Sequence, residues 1–170
     1  TAELFAEHGA RVVVVDLLMN EQVLGEIKTS IESRLQRPIA VDGLRCDISS
    51  AQDCDAMVGE VVRRHGSLDC LVNSAGIVKT QSILDIAAKD LDVMLGALGI
   101  RANAICPAMI ETPMLDGLSP ERLRDIVEAI PLNRTGTTRE LAGACLFLAS
   151  ELSGFITGAT IDVNGGTHMH

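Results

Sequence analysis

The sequence predicts an α/β protein built on a doubly wound parallel sheet with helices on both faces, and three observations carry that prediction. Val12-Val13-Val14-Val15 is an unbroken apolar run of the kind that belongs to a strand covered on both sides. Strand-like runs alternate with helical patterns along the whole chain, which requires crossover connections between parallel strands. Asn73-Ser74-Ala75-Gly76 directly follows the apolar run Leu68-Asp69-Cys70-Leu71-Val72. That places a small-residue turn at the carboxyl end of a buried strand, where open α/β sheets take their ligands.

Each element follows from local chemistry. A first helix, Thr1 to His8, stops at Gly9, and a strand Arg11 to Asp16 follows at once. Leu24, Ile27, Ile31 and Leu35 recur at helical spacing and predict a helix from about Asn20 to Gln36. A strand is expected near Pro38-Ile39-Ala40-Val41 or slightly later, finishing at Cys46-Asp47-Ile48. Ser50 and Asp53 form a capping pair for a helix that ends at His65-Gly66, and the strand Leu68 to Val72 comes next. Beyond it the pattern predicts a helix from about Ile83 to Leu95 and a strand Arg101 to Cys106 closed by Pro107. Ser119-Pro120-Glu121 opens a further helix with proline at its first position. Thr137 and Glu140 form a capping box before another, and the last strand, Ala159 to Val163, ends at Asn164-Gly165-Gly166.

The 170 residues suit one domain, and no apolar run is long enough to cross a membrane as a helix. A net charge of -9 with a single adjacent basic pair, Arg63-Arg64, argues against a nucleic-acid partner. The five cysteines lack Cys-x-x-Cys spacing and read as small buried hydrophobes in a reducing compartment, with the cytoplasm as the expected location. The histidines lack metal spacing, and His168 and His170 read as a terminal tail.

Four strand ends carry chemistry suited to a ligand. Asp16 can accept both hydroxyls of an adenosine ribose and repel a 2′-phosphate, which favours NAD over NADP. Leu17-Leu18 after it supplies no arginine to reverse that preference. Asp47 and Ile48 can hold an adenine edge and face. Each of these residues also has a plainer reading as a turn or cap, but Asn73 to Gly76 and Pro107 to Met114 add two more such ends on the same sheet edge.

With these stretches in order, together with Gly99 to Pro107 and Gly158 to Gly166, the chain resembles the short-chain dehydrogenase/reductase family over almost its whole length. The resemblance implies a Rossmann-type dinucleotide-binding domain over residues 1–170. It also implies an oxidoreductase that moves a hydride between NAD and a small alcohol or ketone. By resemblance, Asp16 with Leu17 would hold the adenosine ribose, Asp47 and Ile48 the adenine, and Asn73, Ala75 and Gly76 would lie beneath the cofactor. Pro107, Ile110 and Thr112 would approach the nicotinamide. A homotetramer or homodimer is expected on the same basis. In the family the segment Pro113 to Leu132 forms a flap over substrate. Met114, Leu115 and Leu118 fit either an apolar wall there or ordinary helix packing. A methyltransferase-like α/β domain also has acidic strand ends, but the order of Pro107 to Met114 and Asn164-Gly165-Gly166 fits the dehydrogenases.

The chain departs from the family in ways that bear on activity. The family's first strand and glycine-rich phosphate loop should precede Thr1. Its asparagine, serine, tyrosine and lysine should fall at a seam between Leu95 and Gly96, yet the sequence contains no tyrosine. No catalytic residue is therefore assigned. One reading is a longer enzyme of which this sequence is part, and the other is an inactive internal-deletion form acting as a binding subunit. The polypeptide mass, 18.0 kDa for this sequence, separates the two.

Overall fold

A computed structural model describes residues 1–74 and 99–169. The chain divides into two compact units, Ala2–Thr80 and Gln81–His170, the second grouped with Thr1. The predicted helix from Ile83 to Leu95 and the seam at Leu95 and Gly96 lie outside the described residues.

In the first unit α1 (Ala2–Glu7) leads into β1 (Val12–Asp16), followed by α2 (Glu21–Leu35), β2 (Val41–Arg45) and α3 (Ala51–His65). The caps are those the residue types demand. Asn20 accepts the Val23 N–H at 3.0 Å, and Ser50 accepts that of Asp53 at 3.2 Å. Gly66 ends α3 at φ 88°, a conformation that glycine adopts without strain.

β1 and β2 pair in parallel, Val12 opposite Val41 through Asp16 opposite Arg45. On one face Val12 and Val14 join Leu24, Ile27, Leu35 and Ile39 around the buried trio Ala6, Ile31 and Val41. On the other, His65 Nε2 at the end of α3 lies 3.2 Å from Asp42 Oδ2. Helices therefore flank both faces of this parallel pair. Gly43 is required by close approach, since a Cβ there would meet the Met19 sulfur at 2.8 Å.

The four valines are half-buried where full burial was expected. Among the described residues β1 has a ladder partner on one side only. The same lack corrects the predicted strand Leu68 to Val72, which is irregular, with Leu68, Leu71 and Val72 exposed. A parallel strand is made by its neighbours as much as by its residues, and among the described residues no strand ladder includes this run. Cys70 is exposed with it, as is Cys106, so the expectation that these two thiols are buried fails.

In the second unit β3 (Ala104–Pro107) pairs in parallel with β4 (Thr160–Val163). Between them in sequence lie a short 3-10 turn (Pro113–Leu115), α4 (Pro120–Glu128), α5 (Thr138–Ala149) and a second 3-10 turn (Glu151–Ser153). Ser119 caps α4, and Thr137 with Glu140 forms the expected capping box of α5.

β3 begins at Ala104, not Arg101, because side chains take over the pairing before it. Arg101 donates to the Leu148 carbonyl at 2.8 Å, the Ser153 hydroxyl at 3.0 Å and the Ile156 carbonyl at 3.3 Å. Asn103 spans the same loop, donating to the Ile156 carbonyl and accepting the Ala159 N–H. Ser153 is fully buried beneath Arg101. No helix among the described residues is long and apolar enough to cross a membrane.

Candidate functional site

The carboxyl edge of the β1–β2 pair brings four predicted residues together: Asp16, Leu17, Asp47 and Ile48. The Cys46 N–H donates to the Asp16 carbonyl at 3.3 Å and ties the two strand ends. Asp16 Oδ1 accepts the Leu18 N–H at 2.8 Å, an Asx-type turn that carries the chain toward α2. Its second carboxylate oxygen makes no hydrogen bond among the described residues. Leu17 and Leu18 flank it, 50% and 74% exposed.

Asp47 is built on the same plan. Its Oδ1 accepts the Ser49 hydroxyl at 2.7 Å and the Ser49 N–H at 3.0 Å. These two bonds, the hydroxyl's first, hold its carboxyl below the usual carboxylate range. Beside it Ile48 is 55% exposed, a large apolar side chain left open next to an ionised carboxylate. Unshared carboxylate oxygens next to an open apolar face fit the hydroxyls, amine edge and ring face of an adenosine. Asn73 is exposed in the irregular run after α3, and Ala75 and Gly76 lie outside the described residues.

The second unit positions Pro107, Ile110 and Thr112 on one loop. Pro107 ends β3, exposed, and the next N–H, that of Ala108, donates to the Val163 carbonyl at 3.2 Å. Ile110 then bridges Gly136 in parallel, with Gly136 N–H to Met109 O at 2.9 Å and Glu111 N–H to Gly136 O at 2.8 Å. Its side chain is buried, and a Cβ at Gly136 would meet its Cδ1 at 2.8 Å. Ile110 can therefore meet a ligand through its main chain, not its side chain. The Thr112 hydroxyl donates to the Ile110 carbonyl at a long 3.4 Å. A cavity of about 430 Å³ lies in this unit, lined by Met109, Ile130, Leu132, Asp162 and Asn164 among others. None of the three predicted residues lines it. In the flap segment Met114 is 74% exposed and Leu118 is exposed, while Leu115 is half-buried.

One residue of this strand edge was missed in the sequence. Arg45 closes β2 opposite Asp16, and its Nε donates to the Leu17 carbonyl at 3.0 Å. The available signal was its place two residues before Asp47, but only strand register puts it beside the turn after β1.

The comparisons with known proteins agree on kinship. The family model described as Enoyl-(Acyl carrier protein) reductase matches residues 1–96 and 89–168, two stretches that meet around the Leu95 and Gly96 seam. The uncharacterized short-chain type dehydrogenase/reductase y4mP of Sinorhizobium fredii is 31% identical, over 100% of this chain and 91% of the relative. That alignment runs over 237 positions, so the relative carries residues at places where this 170-residue chain has none. The 3-oxoacyl-[acyl-carrier-protein] reductase FabG of Chlamydia muridarum is 25% identical over 97% of this chain and 90% of its own length. Among solved structures, YwfH, titled an NADPH dependent reductase involved in Bacilysin biosynthesis, superposes with TM-score 0.83. That match covers 99% of this chain and 92% of YwfH at 17% identity, and so establishes the doubly wound Rossmann-type α/β fold. Matched by the family model over nearly its full length, this chain belongs to the short-chain dehydrogenase/reductase family of oxidoreductases.

Proposed function

We propose that this chain carries the dinucleotide-binding part of an enzyme that transfers a hydride between NAD(H) and a small alcohol or carbonyl compound. The observation that supports the reading best is the Asp16 carboxylate. It is held by the Leu18 N–H through one oxygen and keeps the other unshared at the end of β1. Asp16 and Leu17 take the adenosine ribose, and Asp47 and Ile48 take the adenine. Asn73, Ala75 and Gly76 are assigned to the floor of the cofactor site on the family resemblance alone. Pro107, the main chain of Ile110 and the Thr112 hydroxyl take the nicotinamide end. The nicotinamide supplies the hydride acceptor or donor when bound. The proton is moved by a group outside this sequence, which has no tyrosine for the family's acid/base role.

The names of relatives are in keeping with an alcohol or ketone substrate, a trans-4-hydroxycyclohexanecarboxylate dehydrogenase from Sinomonas cyclohexanicum among them. The NADPH named for YwfH points away from NAD, whereas the acid at position 16 points toward it. A cytoplasmic homo-oligomer with no nucleic-acid partner completes the proposal. Asp16→Ala tests it by titration of the full-length protein with NAD and with NADP. Weaker NAD binding and reduced discrimination against NADP are expected, and unchanged affinity for both would remove Asp16 from this role.

A further inference from the structure

Resting on the adenosine site proposed above, the geometry points to Arg45 as a second determinant of cofactor choice. In this inference its guanidinium accepts a 2′-phosphate on the adenosine ribose and offsets the repulsion from Asp16. Arg45 and Asp16 are register partners at the ends of adjacent parallel strands, which lie about 4.8 Å apart. The two side chains do not neutralise one another: no ion pair joins them among the described residues, and each is fastened to the turn between them. Asp16 Oδ1 holds the Leu18 N–H, and Arg45 Nε holds the Leu17 carbonyl. That single bond anchors the guanidinium against the turn. Both Nη groups then make no hydrogen bond among the described residues, and the side chain is exposed.

A planar cation with two free donors is suited to a phosphate. In the two turns that follow β1 and β2, Asp16 to Glu21 and Arg45 to Asp53, every charged residue except Arg45 is an acid, so Arg45 is the cation these turns supply. An acid alone at this point predicts strong rejection of a 2′-phosphate. An acid with a fastened guanidinium beside it predicts a softened rejection, with the preference for NAD kept.

Ligand-observed NMR titrations of the full-length protein with adenosine and with adenosine 2′-monophosphate test this, because neither probe needs a nicotinamide or a 5′-phosphate site. The wild type is expected to bind adenosine the more tightly and still to bind adenosine 2′-monophosphate measurably. Arg45→Gln is expected to weaken the 2′-phosphate form roughly ten-fold more than adenosine, as loss of a charge-assisted bond implies. Arg45→Lys should recover part of that difference. Equal losses for both probes would overturn the inference, since Arg45 would then only position the Leu17 turn, and so would an unchanged ratio. Wild-type protein that binds adenosine but rejects the 2′-phosphate would overturn it while leaving the adenosine site standing. Failure to bind either probe would overturn both.

Discussion

The two units solve one problem, the closure of a parallel strand pair, by different means. Around β1 and β2 the closure is apolar: Ala6, Ile31 and Val41 are buried, with Val12, Val14 and the inward side chains of α2 packed on them. Around β3 and β4 it is polar. Arg101, Asn103 and the fully buried Ser153 bind the end of α5 to the loop before β4. The carboxyl ends differ as well. The first pair ends in carboxylates with unshared oxygens, suited to hydroxyls and amines. The second ends in Pro107 and the Gly165-Gly166 turn, where main-chain groups are the ones on offer. An apolar closure depends on shape, and a polar one on every donor finding its acceptor.

Mutations can break this contrast. Ile31→Ala leaves a cavity in the apolar trio and should cost about 3 kcal/mol. Hydrogen exchange followed by mass spectrometry should show α2 and β1 opening, with α5 retained. Arg101→Ala removes three hydrogen bonds, leaving the Ile156 carbonyl to Asn103, the Leu148 carbonyl to Ser153 and the buried Ser153 hydroxyl without its guanidinium donor, and should cost roughly 2 kcal/mol. Here the peptides of α5 and β4 should exchange faster while those of α2 do not. If both substitutions loosen the same peptides, the two closures are not independent.

The smallest effect sharpens the contrast through pH. Hydrogen bonds from Arg134, then from the Thr137 N–H and hydroxyl, hold the Glu140 carboxyl at about 2, down from its ordinary 4.5. A depressed folded value means the carboxylate stabilises the fold above about pH 4.5, and that contribution fades as pH falls from there toward 2. Glu60 behaves alike, held at about 2 by Arg63 and then Arg64. Its partners, however, sit on its own helix, whereas Glu140 also closes the capping box of α5. Acid should therefore fray the start of α5 before it disturbs α3. Glu140→Gln should remove the pH dependence of α5 exchange across that window and leave that of α3 in place.

What was legible in the sequence was what short-range chemistry decides. Asn20, Ser50, Ser119 and Thr137 cap the helices expected of them, and Gly66 terminates α3, because each of these bonds closes within a few residues. Asp16 was legible as the end of β1 for the same reason, its turn made by Leu18 close by, whereas β2 stops at Arg45 and leaves Asp47 in the turn two residues past the strand end, held there by Ser49. The run Leu68 to Val72 shows the limit: its residues are strand-like, yet among the described residues no strand ladder includes them, and they stay exposed. Ile110 is a second case, its side chain turned inward by a glycine 26 residues away.

By itself, then, the sequence determined the family, the alternation of helices and strands, and the acids at the end of β1 and in the turn after β2. The tertiary structure alone decided that Arg45 stands opposite Asp16, that Ile110 offers main chain instead of side chain, and that Arg101 replaces the start of a strand. Those outcomes depend on which distant segments pair and in what register, and register is set by burial and ladder bonds that no local pattern records.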